Sequence, residues 1–227
     1  MKVITLPWIS IISCSLFVIL FNVYPEIDII VSKLFFKDNV FSLRGRYNGF
    51  IQFIDHFIQF GCISIWIIYI GYYTTKAIRK NGCTIIRKQL SYVCTIACGG
   101  SIALVHFIKH HFMRCRPHYT DIFGGPAQFT NPCTYNTSAF VGQSSCLSFV
   151  SGHAAIGFLL YSIAFLYTNY DSRRRYYIII GSIVGGLFGF IRIIQGEHFL
   201  SDVIFSGYVV FFFAMIVAYI LKPYASS

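Results

Sequence analysis

Long apolar runs separated by short polar connections dominate this chain. Six runs approach or exceed the roughly 20 residues that an α-helix needs to cross the hydrocarbon core of a bilayer. The pattern predicts an all-α fold, a six-transmembrane helix bundle that forms one integral membrane domain over residues 1–227. The predicted spans cover approximately residues 6–23, 49–73, 90–108, 149–167, 176–194 and 201–221.

Two polar segments interrupt this pattern. The first, residues 24–48, has a centre at 27–36 that is suited to an amphipathic helix in the membrane interface. The second, residues 110–148, contains Gly124-Gly125-Pro126 and Asn131-Pro132, which are typical of turns. This segment predicts a long ordered loop between spans three and four.

Composition and charge agree with a membrane protein. Apolar residues make up 56% of the chain and charged residues 11%, against about 25% charged in soluble domains. The net charge of +10 is spread over short connections, so no basic stripe is available to bind nucleic acid. Basic connectors at 76–88 and 173–175 are expected in the cytoplasm. Both termini would then be cytoplasmic, and the long loop would lie on the other side.

Eight cysteines are present, and three of them fall in the long polar loop: Cys115, Cys133 and Cys146. If this loop faces an oxidising compartment, two of the three can form a disulfide. The pairing expected from the sequence is Cys133 with Cys146, and the alternatives stay open.

Polar residues also collect at the ends of the spans, all on the side opposite the basic connectors. A charged residue at the bilayer centre costs about 2.5–3.5 kcal/mol on insertion scales, so ionisable residues kept near it are candidates for function. Because the clusters share one side of the membrane, they predict one composite site. The clusters are Lys109 with Arg116, Ser151 to His153, and Arg192 with His198 and Asp202.

Lys109 and Arg116 are seven residues apart, so on a continuing helix they would lie about two turns apart on one face. Two such cations can hold a phosphate dianion, Arg through its planar fork and Lys as a point charge. Taken alone, the pair is better explained as two cations that extend to the membrane interface.

Ser151-Gly152-His153 begins the fourth span. The first turn of a helix offers unpaired backbone N–H groups and the positive end of the helix dipole, which together bind anions. Gly152 allows a ligand close to the backbone, and Ser151 can cap the helix or donate to a phosphate oxygen. A serine cap needs no function, so this tripeptide indicates an anion site only together with the other clusters.

His198 and Asp202 are four residues apart, so Asp202 can accept a hydrogen bond from one ring nitrogen of His198. The other nitrogen is then free to attack, as in an activated nucleophile. The alternative is a zinc site, which needs three or four ligands, whereas the nearby cations would repel a metal. We therefore expect no metal and no cofactor.

Together these residues resemble the tripartite signature of the type 2 phosphatidic acid phosphatases. The order and internal spacing fit in Lys109-x6-Arg116-Pro117, Ser151-Gly152-His153 and Arg192-x5-His198-x3-Asp202. Two positions depart from the family: Val150 replaces the usual Pro, and Ile191 replaces the usual Ser. The first change should relax the loop, and the second removes one possible phosphate hydrogen bond, which puts the turnover rate in doubt.

The resemblance implies a role for each matched residue. His198 would attack phosphorus and form a phosphohistidine, Asp202 would orient His198, and His153 would protonate the leaving oxygen. Phosphoryl transfer depends on positioning and charge neutralisation, which cations supply without a metal. The phosphoryl oxygens would be held by Lys109, Arg116, Arg192, the Ser151 hydroxyl and the Gly152 amide.

Within the family, the Phe123-Gly124-Gly125 loop and the run from Gly196 to Asp202 look like those of bacterial lipid A phosphatases. This implies removal of the 1- or 4′-phosphate of lipid A at the periplasmic face of the inner membrane. The implied partners are the phosphorylated lipid and the bilayer, with no nucleic acid and no obligate protein partner.

Other functions remain open. The same chemistry could serve undecaprenyl pyrophosphate, phosphatidylglycerol phosphate or phosphatidic acid. The non-enzyme alternatives are a transporter, which places its polar residues near the bilayer midplane, and an inactive scaffold, which has no need to keep every motif residue.

Overall fold

The computed structural model describes residues 5–44, 48–79, 83–135, 143–167 and 172–224. Helices make up most of this part of the chain, and its strands form one short antiparallel hairpin. The largest buried apolar cluster draws on residues from Phe21 to Ala218. The helical fold class is therefore confirmed.

The chain begins with helix α1 (Thr5–Val23), which breaks before Pro25 and continues as α2 (Glu26–Lys33) at an angle of 80°. Strands β1 (Phe36–Lys37) and β2 (Val40–Phe41) follow as a hairpin in which Phe36 pairs with Phe41. On α2, the side chains of Asp28 and Ser32 are fully buried. The helix expected at the membrane interface therefore turns polar side chains into the protein.

The middle of the chain is nearly continuous helix. Helix α3 (Asn48–Arg79) precedes α4 (Thr84–Thr95), a π-helical segment (Ile96–Leu104) and α5 (Val105–Phe112). Helix α5 ends at Phe112; the N–H of Met113 still donates to the Lys109 carbonyl, but the left-handed backbone of Met113 (φ 49°) prevents a further helical turn. This cap stops the helix one turn beyond Lys109 and directs the chain into the long loop.

The last helices are α6 (Gly152–Phe158), α7 (Tyr161–Ala164), α8 (Ser172–Ile194) and α9 (Leu200–Leu221). A stripe of glycines on α8, Gly181, Gly185 and Gly189, is buried against its neighbours. A Cβ atom at Gly185 would come within 2.3 Å of the Phe158 ring. Small residues let membrane helices approach this closely, so the stripe fixes α8 against α6 and α7.

Helices α8 and α9 are long and apolar enough to cross a membrane, and the bent pair α1–α2 is a third candidate. Together α6 and α7 form a shorter apolar stretch. On α8 the side chains of Ile179, Ile183 and Leu187 are more than half exposed, and such an uncovered apolar face suits a bilayer. Two or three candidate spans lie within the described ranges, so the count of six stays a prediction.

The loop after α5 contains a disulfide between Cys115 and Cys146, whereas Cys133 is an exposed free thiol. The predicted pairing of Cys133 with Cys146 is therefore wrong. The physical reason is local: the amide of Arg116 donates to the Ser145 carbonyl over 2.9 Å, which brings the backbone beside Cys115 against that beside Cys146.

Candidate active site

The three predicted clusters meet at one end of the helix bundle. Lys109 lies near the end of α5, Ser151 caps the start of α6, and Asp202 lies in the first turn of α9. The Ser151 amide donates to the Asp202 carbonyl over 3.1 Å. A Cβ atom on Gly152 would lie 3.9 Å from Cε of Lys109. Residues far apart in the sequence thus form a single site.

His198 occupies the buried centre of this site and is 2% exposed. Its Nδ1 lies 3.2 Å from Oγ of Ser148 and 3.7 Å from Oδ2 of Asp202. The Ser148 hydroxyl donates its one proton to Asp202 over 2.6 Å, so it can only accept from His198. The sequence suggested direct contact between His198 and Asp202, whereas the shorter path runs through Ser148. This arrangement puts the His198 proton on Nδ1 and leaves Nε2 unprotonated.

The charge state of His198 suits a nucleophile. Burial lowers its pKa to about 4; the interaction with Asp202 opposes this shift, and the positive charges of Lys109 and Arg192 add to it. The imidazole is therefore neutral at physiological pH. A neutral ring with a free nitrogen is the form that can attack phosphorus.

Asp202 is held from two sides. Its Oδ2 accepts from the Phe199 amide over 2.8 Å, and its Oδ1 binds the guanidinium of Arg114 at 2.7 Å. Arg114 is 1% exposed and also binds Oδ2 of Asp28 at 2.8 Å. Its guanidinium lies 4.3 Å above the Phe199 ring, a further stabilising contact. Asp202 is thus anchored to α2 through a buried arginine.

Sequence reasoning missed Arg114, Asp28 and Ser148. A signal existed for the first two, because Arg114 lies inside the Lys109-x6-Arg116 motif and Asp28 stands among Ile27, Ile29 and Ile30. Charged residues are almost never fully buried unless they are paired, so a charge next to apolar residues in so hydrophobic a chain is a candidate for a buried ion pair. We find no comparable signal for Ser148, since a serine in a polar loop is unremarkable.

Arg116 and Arg192 converge on the carboxylate of Glu197, which sequence reasoning also missed. Arg116 forms a hydrogen-bonded ion pair with Oε2, and Nη2 of Arg192 lies 3.4 Å from that oxygen. The Nε of Arg116 is buried and has no hydrogen-bond partner among the described residues. Lys109 donates to the Leu147 carbonyl over 2.8 Å. Lys109 and Arg192 act electrostatically on His198, and Arg116 joins Arg192 on the neighbouring Glu197, so the three cations can receive an anion.

Gly196 determines how Glu197 and His198 enter the site. Its φ of +68° is a left-handed conformation, and a Cβ there would come within 2.4 Å of the Phe41 ring. The Gly196 carbonyl accepts from the backbone amide of His118 over 3.1 Å. A glycine is required here because the backbone must turn tightly against the hairpin.

His153 follows the cap of α6 and interacts electrostatically with Arg192, His198, Lys109 and Glu197. It therefore faces the same space as the proposed nucleophile. Among the described residues, no group of three or more His, Cys, Asp or Glu side chains could hold a metal ion.

A buried neutral histidine ringed by cations at the end of apolar helices is an arrangement suited to phosphoryl transfer at a membrane. Residues 89–224 match the PAP2 superfamily, and the chain belongs to that superfamily. It is a phosphoric monoester hydrolase of the lipid phosphatase class. The family expected from the three motifs is confirmed.

Two curated relatives align over most of their length. The chain is 29% identical over 208 residues to a lipid A 4′-phosphatase of Francisella tularensis subsp. novicida (strain U112), covering 89% of this chain and 90% of the relative. It is 28% identical over 213 residues to a lipid A 4′-phosphatase of Rhizobium leguminosarum, covering 84% and 87%. No solved structure matches the chain.

Proposed function

We propose that this enzyme removes the 4′-phosphate of lipid A through a phosphohistidine on His198. The observation that carries the proposal is the hydrogen-bonded series His198–Ser148–Asp202 beside Arg116 and Arg192. The lipid and the position of the phosphate come from the relatives, both of which are named as lipid A 4′-phosphatases. The 1-phosphate of the same lipid is the nearest alternative.

In the first step the Nε2 lone pair of His198 forms a bond to phosphorus, and the bond between phosphorus and the sugar oxygen breaks. The leaving oxygen takes a proton from His153, which the negative charge of the bound phosphate would keep protonated against the surrounding cations. Asp202 keeps the His198 ring oriented through Ser148 and stabilises the positive charge that the ring acquires. Phosphoryl transfer is catalysed mainly by positioning the reacting groups and by neutralising the charge of the transition state, and these residues serve both purposes.

In the second step a water molecule attacks the phosphohistidine. His153, now neutral, accepts a proton from that water, the N–P bond breaks, and inorganic phosphate leaves. Lys109, Arg116 and Arg192 would hold the phosphoryl oxygens throughout, with the Ser151 hydroxyl and the Gly152 amide. Because cations supply the neutralisation, no metal is needed for either step.

We further propose that the site faces the periplasm from the inner membrane. The disulfide between Cys115 and Cys146 lies in the loop that carries Arg116. Disulfides persist in oxidising compartments such as the periplasm and are rare in the cytosol, which supports this orientation.

The proposal is tested by measuring phosphate release from purified protein in detergent. Five substrates are compared: lipid A, undecaprenyl pyrophosphate, phosphatidylglycerol phosphate, phosphatidic acid, and lipid A lacking the 4′-phosphate. We expect fastest release from intact lipid A, no loss of activity with chelator, and loss of activity in His198→Ala. His110→Ala, at an exposed histidine on α5, is the matched control and should keep activity.

Radiolabelled substrate tests the intermediate. Label from the 4′ position should be found on wild-type protein after rapid quenching, in an acid-labile and alkali-stable form, and be absent from His198→Ala. The substrate assignment is wrong if another lipid is hydrolysed faster. The nucleophile assignment is wrong if His198→Ala retains turnover.

A further inference from the structure

The carboxylate of Glu197 lies where the substrate phosphate is expected to bind. Its Oε2 contacts both Arg116 and Arg192, the latter at 3.4 Å. A carboxylate presents oxygen acceptors to a guanidinium much as a phosphate does. The Glu197 side chain is only 14% exposed, so the site and not the solvent holds it in place.

The other carboxylate oxygen faces the rim of the site. Oε1 lies 2.8 Å from Nη1 of Arg44 and 3.8 Å from Nδ1 of His118. Arg44 follows strand β2 and is 41% exposed. Burial lowers the pKa of His118, whereas the guanidinium of Arg44 is always protonated, so Arg44 is the permanent positive charge on this side. Glu197 therefore links two inner cations to one outer cation.

Glu197 is charged in this setting. Burial alone would raise its pKa, but the surrounding Arg116, Arg192, His118 and Arg44 outweigh burial and hold the pKa below its usual value. Lys109 and His153 also face the carboxylate electrostatically. An ionised carboxylate and a phosphate dianion repel each other when they share the same cations, so both cannot occupy the inner position.

We propose that Glu197 is an internal competitor of the phosphate group. In the resting enzyme its carboxylate forms ion pairs with the guanidinium groups of Arg116 and Arg192. When a phosphate monoester binds, the carboxylate keeps Arg44 as its partner and gives up the inner cations; when inorganic phosphate leaves, it returns. This inference rests on the proposed function, because it takes Arg116 and Arg192 to be phosphate ligands.

The exchange has a use in the reaction cycle. The reacting phosphoryl group and the product phosphate bind the same cations, so a site that neutralises one well would also retain the other. A carboxylate that re-forms its ion pairs weakens the binding of product. Product release limits turnover in many enzymes, and Glu197 would shorten that step.

The test is the affinity of the protein for inorganic phosphate, measured by direct titration and by competitive inhibition of turnover. Glu197→Gln keeps the size of the side chain and removes its charge. We expect it to bind phosphate about tenfold more tightly than wild type, since a repulsion near a protein surface is of that order. With substrate, KM should fall, and kcat should fall as well if release limits the rate.

Asp121→Asn is the matched control, because Asp121 is an exposed acidic residue of the loop after α5 and its carboxylate accepts from the neighbouring Ile122 amide over 2.9 Å. It adds the same net charge and should leave phosphate affinity unchanged. Glu197→Ala is the second variant, used if Glu197→Gln does not fold, and should shift the affinity in the same direction. The inference is overturned if the Glu197 variants bind phosphate no more tightly than wild type, or if Asp121→Asn matches them.

Direct titration separates this inference from the proposed function, because it needs no turnover. If wild type hydrolyses no lipid phosphate and Glu197→Gln still tightens phosphate binding, the proposed reaction is wrong but the role of Glu197 as an internal competitor is supported. If wild type hydrolyses lipid A and the Glu197 variants bind phosphate as wild type does, only the role of Glu197 as an internal competitor is wrong.

Discussion

Arg114 and Asp202 form an ion pair of 2.7 Å although their side chains are 1% and 0% exposed. Burial alone would lower the pKa of Arg114, but Asp202 and Asp28 outweigh burial and raise it, so the guanidinium stays charged. A buried pair adds little net stability, yet removing one partner leaves an uncompensated charge. The positioning of Asp202, and through it of His198, therefore depends on a residue outside the signature.

Replacing Arg114 should be strongly destabilising. Arg114→Met leaves Asp28 and Asp202 buried without a cation, and we expect a loss of about 3–5 kcal/mol in the free energy of unfolding. Arg44→Gln removes an exposed partner of Glu197 and should cost at most about 1 kcal/mol. Thermal unfolding of wild type and both variants in the same detergent compares the losses of stability. Equal losses in the two variants would show that Arg114 is not structurally special.

Ser148 should act as a positioning residue for His198. Ser148→Ala removes the hydroxyl between His198 and Asp202, and a hydrogen bond to a charged group is worth about 1.5–3 kcal/mol. We expect kcat to fall by about 10- to 100-fold, with KM little changed. The control Ser162→Ala removes another buried hydroxyl, which donates to the Leu159 carbonyl over 2.6 Å, and should keep full activity.

The coupling between Ser148 and Asp202 gives a sharper result. If Asp202 acts through Ser148, the double variant Ser148→Ala/Asp202→Asn should lose little more activity than Asp202→Asn alone, since residues in one network are not additive. Fully additive losses would mean that Asp202 orients His198 without the serine.

The pH profile should reflect a neutral His198. Because its pKa is lowered to about 4, the ring is active above that pH and is lost as a nucleophile only as the pH falls through about 4. Lys109→Met removes a positive charge that lowers the pKa of His198. In this variant the loss of activity on the acidic side of the pH profile should therefore occur at a higher pH. The substrate phosphate ionises near pH 6 in every variant, so profiles of kcat/KM are compared between variants. Lys222→Met, at the far end of α9, should leave the acidic side of the profile unchanged.

Breaking the disulfide should loosen the site as well as the fold. Cys115 and Cys146 are 31 residues apart, and closing a loop of that length is worth about 3–4 kcal/mol in the chain-entropy model. Because Cys115 adjoins Arg116, Cys115→Ser/Cys146→Ser should lower Tm and raise KM. The exposed free thiol Cys133 supplies the control Cys133→Ser, which should change neither. Unaltered stability in the double variant would contradict the pairing.

The motifs that identified the family needed no structure, because each places its chemistry within a few residues along the chain. Lys109 and Arg116, Ser151 to His153, and His198 with Asp202 have spacings that are readable in one dimension. Apolar runs likewise marked the helices, since burial in lipid demands length and hydrophobicity rather than particular partners.

Contacts between distant segments could not be obtained in this way. Asp28 and Asp202 are 174 residues apart in the sequence, and Arg114 joins them in space. Ser148, Glu197 and the partner of Cys115 likewise depend on how the long loop and the first hairpin pack over α9. Pattern and spacing predicted the helical class and the family, which are confirmed, and proposed the site residues, because all of these can be read from local sequence. Tertiary structure alone decided which charges are paired, because ion pairs and disulfides form between atoms that only folding brings together.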